Sequence, residues 1–315
     1  MININKLAPV IIFTYNRPKH IQQTIQALQK NHLAENSEVF IYSDGAKNDK
    51  SRTNVNLVRN YLKTINGFKT ITIIERNKNW GLANNIINGV TDIINKYGNA
   101  IVLEDDLVTS PYFLDFMNKA LDFYIDKKQI WHISAWVYPT NLIQKNYNQD
   151  VFLWRMMNCC GWATWRDRWR YFEKIPDKLI NNFSKKDIHK FNLDGISNHW
   201  NQVLDNRNHI LNTWAIFWYA TIFKQNGLCL NPTISYLSNI GHDGSGTHCQ
   251  DSNYTDNLIL NNNPNPKFID LMVEDTQIVN IIKKWHLNQQ KRMTNILPRI
   301  INKISRIVYK KNIIK

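Results

Sequence analysis

Short runs rich in Ile and Val alternate with helical patterns through the first hundred residues, and this alternation constrains the fold more than any other feature. "PVIIFTY" (9–15) reads as a strand, and "RPKHIQQTIQALQK" (17–30) as a helix with Pro18 in its first turn. Ile21, Ile25 and Leu28 fall on one face of that helix. "EVFIYSDG" (38–45), "TITIIER" (70–76) and "AIVLEDD" (100–106) read as further strands. Helices fill the gaps, one through Tyr61 and one over "GLANNIINGVTDIINKY" (81–97). Strict alternation implies an α/β fold with a mostly parallel central sheet and helices on both faces. In such sheets ligands bind outside the carboxyl ends of the strands. Those ends carry Tyr15-Asn16-Arg17, Ser43-Asp44-Gly45, Arg76-Asn77 and Glu104-Asp105-Asp106. The chain has no G-x-G-x-x-G after its first strand and no G-x-x-x-x-G-K-[ST], which argues against dinucleotide dehydrogenases and P-loop enzymes.

The three consecutive acids in "IVLEDDLVTS" (101–110) pose an electrostatic problem. Like charges at the end of a buried strand cost free energy unless a positive group sits among them. Either the cluster is a solvated strand end or it holds a cation. A divalent ion bound with a diphosphate suits it, because Mg²⁺ or Mn²⁺ takes one or two carboxylates and fills its other positions with phosphate oxygens and water.

After Leu107 the pattern changes. A helix is expected over 111–127, a strand at "IWHISAW" (130–136), and a helical stretch over 198–225. Nine of the 11 tryptophans fall between Trp131 and Trp218, so this half is built differently from the first. "GLCLNPTISYLSNIGHDGSGTHC" (227–249) ends in a glycine-rich turn, and 250–270 is polar and rich in Asn and Pro, a linker or surface loop. Cys159 and Cys160 are adjacent and no C-x-x-C occurs, so neither a zinc site nor a disulfide framework is indicated, and a reducing cytosol fits. The apolar run at the N-terminus is too short for a signal peptide, and the longest internal run, "TWAIFWYATIF", has 11 residues, too few for a membrane span.

The net charge of +14 is concentrated in residues 291–315, which hold eight Lys or Arg and no acid. Ile296, Ile300, Ile304, Ile307 and Val308 share one helical face, and Arg299, Lys303, Arg306 and Lys310 another. A basic amphipathic helix of this kind lies on an anionic membrane surface, or else packs on the domain with its lysines solvated. With the charge in one tail and no recognised module, no nucleic-acid partner is expected.

"PVIIFTYNRPKHIQQTIQAL", "IYSDG", "IIERNKNWGLANN", "IVLEDDLVTSPYFLDFM" and "IWHISAW" resemble, in order and spacing, GT-A-fold, family-2-like inverting glycosyltransferases. They look most like the branch that includes N-acetylglucosaminyltransferase I, where E-D-D-L replaces D-x-D. Bacterial sugar transferases of surface-polysaccharide (including lipopolysaccharide) synthesis share the "GWATW" block and the "NIGHDGSGTHC" ending. The resemblance spans roughly residues 8–250. It implies a metal-dependent inverting transfer from a nucleotide-diphosphate sugar, a UDP-sugar by preference, to a glycan or lipid-linked acceptor, with Mn²⁺ or Mg²⁺ as cofactor. It implies a nucleotide-sugar-binding half over 1–107 and an acceptor-binding, catalytic half over 108–250 of the same domain, then a linker and packing segment (251–290) and the basic helix (291–315). The location implied is cytoplasmic, peripheral on the inner face of the membrane.

Residue roles follow the same resemblance. Asp106 matches the metal ligand; Glu104 and Asp105 match contacts to the donor sugar and ribose. Asp44 matches the reader of the nucleobase edge, although Asp before Gly also fits a plain turn. Arg17 matches a basic group near ribose and phosphates, and the backbone at Thr14 and Tyr15 would flank the base. Asn77 stands where the related enzyme has a base-contacting histidine. Trp162, Trp165 and Trp169 lie at helical spacing and suit a core, while Trp162 also suits an acceptor wall. His242, Asp243 and His248 belong to a glycine-rich loop that suits a lid. The general base of the related enzyme does not carry over, because Ala215 and Ile216 stand where carboxylates are expected. Asp205 leads by its distance from Asp106, with Asp194 and Asp243 as the other candidates. The missing base also leaves open a non-catalytic nucleotide-sugar-binding homologue. A sugar-nucleotide pyrophosphorylase is a weaker alternative, since its Gly-rich basic loop after the first strand is absent.

Overall fold

Strand β1 (Val10–Thr14) is buried along its whole length and pairs in parallel with β2 (Glu38–Ser43) on one side and β4 (Asn99–Glu104) on the other. The edge strand β3 (Thr70–Glu75) pairs in parallel with β2. The computed structural model in which this is seen describes residues 3–138, 147–244 and 259–289. Each crossover is a helix: α1 (Pro18–Gln29), α2 (Asp49–Leu62) and α3 (Leu82–Tyr97). Asn48 and Ser51 form a reciprocal capping box that starts α2, where two orphan N–H groups need acceptors.

The second half extends the same sheet. After the short β5 (Leu107–Thr109) and α4 (Phe113–Phe123) come β6 (Ile130–Ser134), β7 (Val151–Trp154), β8 (Trp162–Trp165) and β9 (Leu228–Pro232). The sheet order is β3-β2-β1-β4-β8-β6-β9-β7. Four of its seven neighbouring pairs are parallel, and β8 runs antiparallel between β4 and β6. The expected α/β class, with its mostly parallel sheet, is borne out. β10 (Leu237–Asn239) pairs with β5 in a separate ribbon, which brings the 237–241 segment back over the end of β4.

The sheet separates two apolar layers. Ile21, Ile25 and Leu28 of α1 pack with Phe113, Phe116 and Met117 of α4 on one face. Ile86, Val90 and Ile94 of α3 join the tryptophan-rich cluster on the other. Burying one such side chain contributes about 1.5–3 kcal/mol. A Cβ on Gly89 would lie 2.9 Å from the Phe13 ring and 3.0 Å from Tyr42, so α3 reaches the sheet as closely as it does only with glycine there.

Three local expectations are modified. Beyond the short helices α6 (Pro176–Asn182) and α7 (Lys185–Phe191), the helical stretch over 198–225 is two helices, α8 (Trp200–Arg207) and α9 (Ala215–Lys224), separated by a loop in which His209 takes a left-handed φ of 57°. Asp205 O accepts from Ile210 N–H and Leu211 N–H, and Asn206 Oδ1 from Thr213 N–H, so the helix-ending carbonyl and amide hold the loop. Trp162 and Trp165 sit on strand β8, not on a helix; three residues apart, they face opposite layers. Only Trp169 lies on a helix, the single turn α5 (Arg166–Trp169). The helix expected over 111–127 ends earlier, at Phe123. The basic segment 291–315 and His248 lie outside the described residues.

Candidate active site at the carboxyl edge of the sheet

Parallel register puts the ends of the first strands side by side: Thr14 is level with Ser43, and Phe13 with Glu104. The residues that follow those ends therefore meet in one cleft of about 560 Å³. Thr14, Tyr15, Arg17, Asp44, Glu104, Asp105 and Asp106 all line it, so the strand-end residues singled out from sequence converge as a parallel sheet requires. A second hollow of about 70 Å³, beside Tyr171, Glu173 and Lys224, shares no residue with it.

The positive group among the acids is Arg17. One guanidinium nitrogen, Nη2, bridges the two aspartates, donating to Asp105 Oδ1 and, at 2.9 Å, to Asp106 Oδ2. Burial works against the guanidinium charge, but Asp105 and Asp106 raise its pKa above the ordinary value. Its other terminal nitrogen, Nη1, is buried and has no hydrogen-bond partner among the described residues. Asp105 is tied down further by Thr14 Oγ1 at 3.0 Å and Tyr15 N–H at 3.3 Å, and its carbonyl accepts from Thr24 Oγ1 at 2.8 Å. Burial nevertheless pushes the Asp105 carboxyl up, against the pull of Arg17. Glu104 is pushed up further, by burial first and then by Asp106, and among the described residues its carboxylate has no hydrogen-bond partner.

The returning segment closes over this group. Ile240 N–H donates to Asp106 O at 2.8 Å, and a Cβ on Gly241 would stand 2.2 Å from Asp106 Oδ2 and 3.1 Å from Arg17 Nη1. Glycine is needed there because the backbone lies directly on the carboxylate. Asn239, which accepts from Gly241 N–H at 2.7 Å, sets that turn.

No group of three His, Cys, Asp or Glu arranged to hold a metal occurs among the described residues. The donors present still fit a hard divalent cation that shares a diphosphate. Among the described residues Glu104 and the Oδ1 atom of Asp106 are carboxylate oxygens without hydrogen-bond partners at the cleft, and one or two carboxylates suffice when phosphate and water complete the shell.

At the other end of the cleft Asp44 is 4% exposed and its carboxylate gathers four donors from Gly45 and residues 79–81. Arg76 lies over Trp80 at 3.9 Å and Tyr42 at 5.0 Å, and donates to Asn85 and Asn88. Asn77 is exposed and absent from the lining, whereas Asn79 and Lys47 are in it. Neither was singled out from sequence; Asn79 precedes the same Trp-Gly pair that the Asp44 carboxylate binds, and that was the signal available.

The candidate bases are scattered. Asp194 lies outside the lining, held by Lys283 and, at 3.1 Å, by Arg155. Burial works to raise its carboxyl, but Lys283 and Arg155 keep it below its ordinary value. Asp243 is 3.2 Å from His20 of α1, next to His242, so the glycine-rich turn meets the first helix close to Arg17. Asp205 is on α8, and its carbonyl holds the loop whose Ile210, Leu211 and Asn212 form the far wall of the cleft. That wall was invisible in the sequence. Trp162 is 1% exposed, stacked on His132 at 5.5 Å and on Trp214 at 5.0 Å, so it belongs to the core and presents no face to the cleft.

The model for glycosyl transferase family 2 matches residues 10–124, the part of the chain that supplies every strand end named above. No curated protein matches the chain. Among solved structures it is similar to S. aureus TarS at 16% identity and a TM-score of 0.30, over 40% of this chain and 21% of that one. It is similar to mannosyltransferase PcManGT from Pyrobaculum calidifontis, solved with GDP-Man and Mn²⁺, at 10% identity and 0.38, over 72% and 71%. Galactosyltransferase LgtC, solved with donor and acceptor sugar analogs, matches at 11% and 0.35, over 68% and 70%. The chain thus spans about a fifth of the TarS structure.

Proposed function

We propose, from the match of residues 10–124 to the model for glycosyl transferase family 2, that the protein moves a sugar from a nucleotide-diphosphate donor, a UDP-sugar by preference, to a glycan or lipid-linked acceptor with inversion at the anomeric carbon. The observation that carries this reading is Arg17. Its Nη2 is spent on Asp105 and Asp106, while its Nη1, buried beside Gly241, has no partner among the described residues, which leaves a charged donor for an anion that enters next to it. A diphosphate answers that need, since charge-assisted bonds from guanidinium to phosphate are among the strongest available.

In this reading Arg17 holds the diphosphate, and Asp105, fixed by Thr14 and Tyr15, keeps Arg17 in place. Glu104 and Asp105 face the donor sugar and ribose, and the Thr14–Tyr15 backbone flanks the base. Glu104 and Asp106 would hold Mn²⁺ or Mg²⁺, which when bound neutralises charge developing on the leaving diphosphate. The acceptor enters along the wall made by Ile210, Leu211 and Asn212. A carboxylate takes the proton of the attacking hydroxyl, and none of the three candidates lines the cleft; Asp205, whose backbone carbonyl holds that wall, is the first choice, Asp243 the second, as a lid residue, and Asp194 the third. Synthesis of a bacterial surface polysaccharide fits such an acceptor, and docking of residues 291–315 on an anionic inner-membrane face fits a lipid-linked one. No helix among the described residues is long and apolar enough to cross a membrane. A non-catalytic nucleotide-sugar-binding role is the second reading, favoured by Ala215 and by Ile216, which is buried in α9 and offers no carboxylate.

Thermal-shift measurements with a set of nucleotide sugars, with and without Mn²⁺, combined with an assay for released nucleoside diphosphate, test the proposal. Stabilisation by one sugar nucleotide together with turnover is the expected result. Stabilisation without any turnover on supplied glycan acceptors would favour the non-catalytic reading, and no stabilisation by any donor would overturn both. Asp106→Ala should abolish the Mn²⁺-dependent part of the shift.

A further inference from the structure

Cys159 and Cys160 take no part in the transfer proposed above, yet they stand near its cleft, where the charges of Glu104 and Asp106 act on Cys160. Both are half-buried in the loop between β7 and β8, and their thiols are hydrogen-bonded to each other. The residues on either side of the pair are pinned. Asn158 O lies 2.9 Å from His132 Nε2, and Asn158 Nδ2 donates to Asn231 Oδ1 at 2.9 Å. Gly161 O accepts from Ala135 N–H at 2.8 Å. The Cys160 sulfur in turn accepts from Asn239 Nδ2 at 3.8 Å. Through Oδ1 the same Asn239 side chain accepts from Gly241 N–H at 2.7 Å, so it joins the thiol pair to the strap that lies on Asp106. Turning this amide over would set its donors against Gly241 N–H, so both contacts depend on one orientation. Gly161 presses on the same strand, since a Cβ there would stand 2.1 Å from Leu237 Cδ2.

We propose that Cys159 and Cys160 are a modification site for small disulfides, and that closing a disulfide between them frees the 237–241 strap. The chemistry is two successive exchanges. The Cys159 thiolate attacks one sulfur of a small disulfide RSSR, forming a mixed disulfide and releasing RS⁻. The Cys160 thiol then gives up its proton, attacks the Cys159 sulfur and expels the second RS⁻. The pair loses two electrons and two protons, and RSSR takes them up to become two thiols. Adjacent Cα atoms stand about 3.8 Å apart across a trans peptide, short of the roughly 4.4–6.8 Å that disulfides usually span. The ring so formed is strained and readily reduced, which suits a reversible modification and not a permanent cross-link. With Asn158 and Gly161 held, the movement falls on the two side chains, and the Cys160 sulfur is drawn from Asn239 towards Cys159. Asn239 then loses the contact that orients it, and Gly241 N–H loses its acceptor. Any effect on sugar transfer rests on the nucleotide-sugar reading above; the release of the strap does not.

Treatment of the full chain with oxidised glutathione, followed by peptide mass mapping and hydrogen exchange, tests this. A disulfide between Cys159 and Cys160 should form and be reversed by dithiothreitol, with Cys229, fully buried in β9, left unmodified. Exchange in the peptide covering Ile240 and Gly241 should then quicken by about twofold to tenfold, the range for one lost hydrogen bond. Cys160→Ala, which removes the acceptor of Asn239, should show the faster exchange without any oxidant. Cys160→Ser keeps an acceptor but cannot close the ring, and should exchange slowly with oxidant or without. A mixed disulfide that persists on either cysteine, or a disulfide to Cys249, overturns the proposal. So does unchanged exchange at Ile240 and Gly241 in the cross-linked protein. Nucleoside diphosphate release should fall with the same treatment. A reduced protein that releases none removes the transfer reading, while the disulfide and the exchange rates still decide this one.

Discussion

Arg17 is one side chain asked to do two jobs, to neutralise Asp105 and Asp106 and, in the proposed function, to hold the diphosphate with an Nη1 that is buried and unpartnered among the described residues. Arg17→Ala should therefore act on both. Removing one partner of a buried ion pair typically costs about 3–5 kcal/mol, because the other charge stays behind without compensation. Part of that loss will be met here by protonation of Asp105, which burial already pushes up. Calorimetry should show donor affinity weakened by roughly a hundredfold and melting at a lower temperature; near-normal affinity would place the diphosphate elsewhere. Gly241 makes a narrower test. A methyl group 2.2 Å from Asp106 Oδ2 must displace the carboxylate or the strap above it. Overpacking of this kind costs about 1–3 kcal/mol, and displacing a reacting group by about 1 Å can cost a hundredfold in rate. Gly241→Ala should thus lower kcat/KM by at least about tenfold in a protein that still melts cooperatively.

At the scale of elements, the break between α8 and α9 matters most, because its loop turns what would have been one long helix into a wall of the cleft. It also separates the candidate bases by the jobs their elements give them. Asp205→Asn should reduce kcat by about 10²–10⁴, the usual contribution of a general base, with the acceptor and donor KM values little changed. Asp194→Asn should instead loosen the described C-terminal helix (276–289), since Asp194 pairs with Lys283 as well as Arg155. As its side chain is 35% exposed, screening limits that loss to about 1 kcal/mol. Near-normal kcat in Asp194→Asn, Asp205→Asn and Asp243→Asn alike would show that none of the three takes the proton.

On the scale of the whole molecule, the second-half core is built around a histidine that must stay neutral. His132 is fully buried, stacked on Trp162; its Nε2 lies 2.9 Å from Asn158 O and its Nδ1 accepts from Trp218 Nε1 at 3.2 Å. Burial pushes its pKa down to about 3, and that of His199 to about 4. Below the ordinary histidine value near 6.5 the unfolded chain binds a proton that the folded chain refuses, so these groups lose stability as pH falls. Glu104 and Asp105, pushed up in the fold, act in the opposite sense, so the His132 contribution is best read against a variant. The stability difference between the protein and His132→Gln should shrink by roughly 3 kcal/mol between pH 6.5 and 4, at about 1.4 kcal/mol per unit. A difference that does not change with pH would mean that His132 titrates normally. The sequence by itself determined the alternation of strands and helices in the first hundred residues, because the periods of buried strand and amphipathic helix are local. It also determined which residues stand at the strand ends, and parallel pairing then had to bring them to one edge. Only the tertiary structure decided what those residues do to one another. Arg17 meets Asp105 across 88 residues, Asp44 is saturated by a loop 35 to 37 residues away, and Gly241 lies on Asp106 because β10 returns to β5. Contacts between distant segments depend on register and crossing, which no local pattern encodes, and so the roles of Asp44, Asn79 and the 208–214 loop became visible only once the chain was folded.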